Sequence, residues 1–149
     1  GLEHQTVLRV PVKVVLPAKH PLARQAEFAL TDLRNEDFVL CTRESRPEFY
    51  DEFFRQCANA GFHPRVVKEV GGHPSNMLGL VSVGVGVSVY PHFDQVERMH
   101  GIVWRPLIRP ARTVDFALVW RAKAVSPVVR EFIACVEKEL PLVDTAETS

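Results

Sequence analysis

Two arginines stand directly before a predicted helix, at a place where a cation is the least favoured charge. The segment TRESRPEFYDEFFRQC, residues 42–57, holds Arg43 and Arg46, and Pro47 suits the first helical turn. The N–H groups and the dipole at a helix start favour an anion. Each arginine could add a charge-assisted hydrogen bond to a carboxylate. The pattern therefore indicates a binding site for a small carboxylate.

Each of these residues also has an ordinary structural interpretation. An arginine here could pair in solvent with Glu44, Glu48 or Asp51, which would contribute less than about 1 kcal/mol. Phe49 falls at a core-facing position of the predicted helix and could simply pack there. Both alternatives stay open from the sequence.

A second loop, at residues 71–76, precedes another predicted helix and favours an anion for the same reason. His73 could donate a hydrogen bond to a ligand there, although a histidine in a loop is more often a surface residue. Ser75 or Asn76 is expected to cap the helix that follows.

The elements that must position these loops alternate between strand and helix. β-branched runs predict strands at 6–17, 37–42, 65–70 and 85–91. Apolar residues at helical spacing predict a helix from Pro47 that stops at Gly61, and another within 71–84. Three strand and helix pairs predict an open, mostly parallel α/β sheet, in which ligands collect at the carboxyl ends of the strands.

The last part of the chain differs in kind from the middle. Its pattern predicts strands at 102–107 and 114–122, and Ser126 with Pro127 predicts a helix start. We expect the first and last strands to belong together, away from the middle. The final helix carries an apolar stripe made of Val129, Phe132, Ile133, Val136 and Leu140.

Composition argues against several classes of protein. Eighteen basic residues balance eighteen acidic ones, so this segment lacks the positive field that duplex binding normally uses. Cys41, Cys57 and Cys135 show no zinc-binding spacing, and we interpret them as buried, reduced thiols of a cytosolic protein. We expect no metal and no cofactor. No apolar run approaches the ~20 residues of a membrane span, and no signal peptide is recognisable.

No catalytic residue is predicted. The sequence contains no GxSxG, Walker or HExxH motif. Cys41 and His63 are a conceivable nucleophile and base, but nothing in their spacing brings them together, and a thiol on a buried strand resists ionisation. We therefore expect no enzymatic activity.

Four motifs carry a resemblance to a known family. VVLPAKHPLA, DLRNEDFVL, ANAGFHPRVVKEV and LGLVSVGVGVSVYP together resemble the effector-binding domain of LysR-type transcriptional regulators, over residues 6–140. The resemblance implies a periplasmic-binding-protein-like α/β fold of type 2, with an open mixed sheet flanked by helices. It also implies two lobes that hold a small molecule in their cleft, one lobe being complete here and the second partial.

The resemblance further implies how the chain is divided. It assigns 1–12 to the end of lobe I and the first hinge strand, 13–107 to lobe II, 108–140 to the second hinge strand with the closing strand and helix of lobe I, and 141–149 to a tail. The family's DNA-binding helix-turn-helix and the first part of lobe I are expected to precede Gly1. Without them the stripe on the last helix would expose apolar surface, which predicts a homo-oligomer, with swapping of elements as one form. Alternatively, the terminal elements pack back onto lobe II.

The step RPEF resembles the cleft loop of LysR-type regulators of aromatic-acid catabolism, which answer to muconate and benzoate. A proline and a phenylalanine at that cleft match Pro47 and Phe49, whereas the serine and threonine of the family's primary site fall outside this chain. The predicted effector-binding residues are Thr42, Arg43, Arg46, Pro47, Phe49, His73 and Ser75. The predicted function is carboxylate sensing in a cytoplasmic regulator that contacts DNA only through its helix-turn-helix. A transport receptor of the same fold and an interaction module without a ligand are the alternatives.

Overall fold

The computed structural model describes residues 1–93, 98–123 and 125–140, and the chain forms two units. The central unit is Pro11–Arg112. The terminal unit combines Gly1–Val10 with the described residues from Thr113 onward. The predicted tail at 141–149 lies outside the described residues.

Seven strands and three α-helices make up the described part of the chain. The strands are β1 (Leu2–Pro17), β2 (Phe28–Ala29), β3 (Asp37–Cys41), β4 (Arg65–Val70), β5 (Ser88–Pro91), β6 (Ile102–Arg109) and β7 (Thr113–Arg121). The helices are α1 (Pro47–Asn59), α2 (Pro74–Ser82) and α3 (Pro127–Glu139), and short 3-10 turns occupy Pro21–Arg24 and Leu30–Leu33.

The strands of the central unit pair in both directions. β3 is parallel to β4, and Phe38 forms a parallel bridge with Val87, just before β5. β1 lies antiparallel to both β5 and β6, and β2 is parallel to β6. The open mixed sheet that the resemblance implied is confirmed. The pattern of strands and helices alone predicted a mostly parallel sheet. This prediction was wrong for β1, which is antiparallel to both β5 and β6, because periodicity identifies a strand without fixing its direction.

Helices α1 and α2 bury their apolar faces within the central unit. Phe53 and Cys57, one turn apart on α1, are both buried. On α2 the buried residues are Met77, Leu78 and Val81. The α2 residues join a core cluster with Val15, Val39 and Tyr90. This cluster packs α2 against strands β1, β3 and β5.

The terminal unit is held by polar contacts along its two strands. β7 pairs with β1, and the Arg9 guanidinium contacts the Asp115 carboxylate at 2.7 and 3.0 Å. The Trp120 indole donates to Glu3 at 2.8 Å. α3 buries none of its residues, and Phe132 is 58% exposed. The exposure of Phe132 agrees with the exposed apolar surface that the sequence predicted for α3. Self-association through this surface stays a prediction.

Candidate functional site

A cavity of about 410 Å³ lies in the central unit, beside the starts of α1 and α2 and the end of β5. Its lining residues are Arg46, His73, Pro74, Ser75, Leu78, Tyr90, Phe93 and Met99. Volumes of a few hundred Å³ are typical of small-molecule sites. Three of the seven predicted effector-binding residues, Arg46, His73 and Ser75, therefore meet at one space.

Arg46 occupies the cap position of α1 and brings its charge to the cavity. Its carbonyl accepts a hydrogen bond from the Tyr50 N–H at 3.0 Å, and its side chain does not cap the helix. Instead, the guanidinium carbon lies 5.2 Å from the centroid of the Tyr90 ring, within cation–π range. The helix dipole and the guanidinium thus place positive charge at the same point, which favours an anion.

The start of α2 is already capped by the chain itself. His73 Nδ1 accepts from the Ser75 N–H at 3.3 Å and lies 2.8 Å from Ser75 Oγ. The His73 carbonyl accepts from the Asn76 N–H at 3.0 Å, and Pro74 has no N–H to offer. The predicted cap at Ser75 or Asn76 is therefore wrong, because Pro74 fixes the first helical position and leaves capping to His73. Consequently the first N–H groups of α2 contribute less to anion binding than the sequence indicated.

The structure places Arg43 in an ion pair, which was the structural alternative from the sequence. Its guanidinium makes two hydrogen bonds to the Asp51 carboxylate, at 2.8 and 2.7 Å, on an exposed surface. The hydrogen bonds and the positive charge of Arg43 hold the pKa of the Asp51 carboxyl below its usual value. Arg43 is thus engaged by a neighbour and is not among the residues that line the cavity.

The remaining predicted residues lie around the cavity rather than in its lining. Thr42 Oγ1 lies 2.9 Å from Ser45 Oγ, and Pro47 is the exposed first residue of α1. The Phe49 ring is half-buried, with its centroid 6.2 Å from that of Tyr90 and 4.5 Å from the Arg112 guanidinium carbon. Phe49 therefore contacts the ring of Tyr90 without being one of the residues that line the cavity.

Sequence analysis missed the apolar residues that line the cavity and the buried tyrosine beside them. The apolar residues are Leu78, Phe93 and Met99, and Tyr90 is only 1% exposed. One signal could have identified Tyr90: it is an aromatic residue with a polar tip at the carboxyl end of a buried strand, where ligands collect in sheets of this kind.

Both tyrosines of the chain have raised pKa values, for different reasons. Burial raises the pKa of the Tyr90 hydroxyl, and the positive charge of Arg46 opposes this in part. Tyr50 donates a hydrogen bond to Glu69, which raises the pKa of Tyr50 to about 12. The hydroxyl of Tyr90 therefore remains protonated, and able to donate, at neutral pH.

An alkaline titration followed at 295 nm tests these environments. The unfolded chain in concentrated urea is expected to show tyrosine ionisation at about pH 10, whereas the tyrosines of the native chain titrate at higher pH. Because the native pKa values are raised, the stability that they contribute is complete below about pH 10 and is lost as the pH rises further. A Tyr50→Phe variant isolates Tyr90, and a transition at about pH 10 in that native variant would contradict its burial.

The three cysteines differ in burial, and two of them have raised pKa values. Burial raises the pKa of the Cys57 thiol to about 12, and it also raises the pKa of Cys41. Cys135 is exposed, so its predicted burial is wrong; it lies on α3, which packs too little to bury any residue. Residues 1–93, 98–123 and 125–140 contain no group of three potential metal ligands. In those same ranges no helix has both the length and the apolar character to cross a membrane.

Comparison with known proteins gives one family match over nearly the whole chain. Residues 1–141 match the family model described as the LysR substrate binding domain. Among curated relatives, the HTH-type transcriptional regulator AlsR of Bacillus subtilis (strain 168) is 26% identical over 133 residues, which are 89% of this chain and 44% of AlsR. The chain spans about half the length of the curated relatives it matches.

Two solved structures show the same fold. The effector-binding domain of QuiR in complex with shikimate aligns with a TM-score of 0.74 at 20% identity, covering 93% of this chain and 65% of that chain. The BenM effector-binding domain with its effector benzoate aligns with a TM-score of 0.75 at 20% identity, covering 93% of this chain and 63% of that chain. The fold of the described residues is therefore that of a periplasmic-binding-protein-like effector domain.

Proposed function

Because the chain belongs to the LysR substrate-binding domain family, we propose that its central unit binds a small carboxylate effector in the cavity beside Arg46 and Tyr90. The observation that supports this most directly is the state of Arg46. Among the described residues Arg46 has no ion-pair partner, whereas Arg43, three residues earlier, is paired with Asp51. An anion in the cavity would supply the missing partner and relieve the conflict between Arg46 and the α1 dipole.

The lining of the cavity indicates what the rest of the effector is like. Arg46 offers only hydrogen-bond donors, so it selects an acceptor group with negative charge. On the other side, Leu78, Phe93 and Met99 present apolar surface. A carboxylate attached to an apolar or aromatic body matches both sides, and the volume of about 410 Å³ is enough for an acid with one ring.

The relatives support a proposal for the role of the longer protein. The chain matches curated transcriptional regulators whose names include a helix-turn-helix, and we infer that effector binding here controls DNA binding by such a domain elsewhere in the polypeptide. A ligand achieves this by binding one conformation more tightly than another. A cytoplasmic location, a homo-oligomeric assembly and the lack of enzymatic activity belong to the same proposal. So does the assignment of the central unit to lobe II.

Ligand titration followed by NMR chemical shifts tests the carboxylate site, since it detects millimolar binding. Benzoate and shikimate are the probes, and benzamide is the uncharged analogue of benzoate. We expect both acids to shift the resonances of residues around Arg46, and benzamide to shift them far less. Arg46→Gln should weaken binding of the acids about 10- to 100-fold, the loss of a charge-assisted hydrogen bond of about 1.5 to 3 kcal/mol.

Two further variants make the result specific. Arg34→Gln removes a charge from an exposed arginine of the central unit, away from the residues that line the cavity, and should change the affinity less than about 2-fold. Arg43→Gln tests the other predicted arginine and should have a smaller effect than Arg46→Gln, because Arg43 already pairs with Asp51. If neither acid binds at millimolar concentration, or Arg34→Gln weakens binding as much as Arg46→Gln, the proposed site is wrong.

A further inference from the structure

We propose that Tyr90 is a specificity-determining residue for the effector, donating a hydrogen bond from its hydroxyl to the carboxylate that pairs with Arg46. This inference rests on the proposed function, since it concerns the same cavity. It adds a second donor to the site and explains why an aromatic residue with a hydroxyl, rather than phenylalanine, stands at the end of β5.

The first observation is an unsatisfied hydroxyl. Tyr90 is 1% exposed, and its hydroxyl oxygen has no hydrogen-bond partner among the residues that the structure describes. Buried polar groups are almost always hydrogen-bonded, because leaving one unpaired is costly. An orphaned hydroxyl on a residue that lines a cavity indicates a partner that arrives with a ligand.

The second observation is the fixed position of the ring. Tyr90 pairs with Lys13 in the β1–β5 ladder, and its ring packs in the core cluster with Val39 and Met77. Phe49 contacts the ring at a centroid distance of 6.2 Å. With the ring held in this way, only the O–H bond needs to turn toward a ligand. A donor that is already in place loses little entropy on binding.

The third observation is the proximity of Arg46. The guanidinium carbon lies 5.2 Å from the ring centroid, and its charge is felt at the hydroxyl, where it lowers the pKa against the larger effect of burial. One anionic group can therefore contact both residues. A carboxylate has two oxygens, so one can accept from the guanidinium and the other from the hydroxyl. A neutral ligand brings no negative charge to the guanidinium, so its interaction with Arg46 would be weaker.

Tyr90→Phe tests the inference because it removes the hydroxyl and keeps the ring. We expect benzoate and shikimate to bind this variant about 10- to 100-fold more weakly than the wild type, by the same NMR titration. In the absence of ligand, the melting temperature should stay unchanged or rise, because the hydroxyl that is removed has no partner among the described residues. Tyr50→Phe is the matched control: its hydroxyl donates to Glu69, it does not line the cavity, and the affinity should stay within about 2-fold of wild type.

The outcomes separate this inference from the proposed function. If benzoate and shikimate bind the wild type and Tyr90→Phe equally well, the role of Tyr90 is wrong and the carboxylate site stands. If Tyr90→Phe melts at a clearly lower temperature without ligand, the hydroxyl has a structural partner and the inference is overturned. If neither acid binds the wild type, the proposed function fails and this inference fails with it.

Discussion

Replacing Gly86 by alanine is expected to lower the free energy of unfolding by about 3 kcal/mol or more, from strain and from lost buried hydrogen bonds. A Cβ at Gly86 would lie 2.5 Å from the carbonyl oxygen of Asp37 and 3.3 Å from a methyl group of Val39. The same carbonyl accepts a hydrogen bond from the Val87 N–H at 2.8 Å. β3 would therefore have to move away from Val87, which breaks the contact that joins β3 to the β5 side of the central unit.

Gly79→Ala provides the control, since it makes the same chemical change where there is room. A Cβ at Gly79 meets nothing within 4 Å, and the residue lies inside α2. Alanine there should raise the stability by about 0.5 to 1 kcal/mol, because it restricts the unfolded chain and favours the helix. Urea unfolding followed by circular dichroism measures both variants. Equal stabilities would show that β3 and Val87 can separate without cost.

The close approach at Gly86 also matters for the candidate site. β3 leads into the loop that carries Arg46, and β5 carries Tyr90. The two strands can lie side by side at this point only because position 86 has no side chain. Gly86 therefore lets Arg46 and Tyr90 lie close together. Both proposals depend on this closeness.

Local elements were predictable from the sequence because local chemistry decides them. Pro47 does begin α1, and Gly61, with φ of 83°, follows its end, as the pattern of proline and glycine indicated. The strand at 65–70 matches β4 in both bounds. The ends of α1 depend on neighbouring residues alone, whereas β4 also needs its partner strand β3, which the pattern did not identify.

The candidate site was predictable only in part, because its decisive features depend on distant residues. The sequence predicted Arg46, His73 and Ser75 as effector-binding residues, and all three line the cavity, but it did not separate Arg46 from Arg43. Only the structure shows that Arg43 is engaged by Asp51. The position of Tyr90 at the end of a buried strand was readable from the sequence, but its unpaired hydroxyl was not, because that depends on everything packed around it.

Phe53→Ala is expected to lower the free energy of unfolding by about 3 to 5 kcal/mol, the usual range for a fully buried phenylalanine. Phe53 is 2% exposed, and its ring centroid lies 5.3 Å from that of Phe38 on β3. The contact joins the inward face of α1 to the sheet. Without it α1 loses its main aromatic anchor, and a cavity remains that neighbours such as Cys57 fill only in part.

Phe54→Ala is the control variant, because it removes a different aromatic ring from α1 and leaves Phe53 in place. Phe54 is half-buried, stacks on Tyr50 at a centroid distance of 4.7 Å and meets the Phe53 ring edge-on at 5.8 Å. Its replacement should cost about 1 to 2 kcal/mol, less than that of Phe53, because Phe54 is less buried than Phe53. Urea unfolding and amide hydrogen exchange of α1 distinguish the two variants. We expect faster amide exchange throughout α1 in Phe53→Ala only. If the two variants lose the same stability, the packing of α1 on β3 does not depend on Phe53.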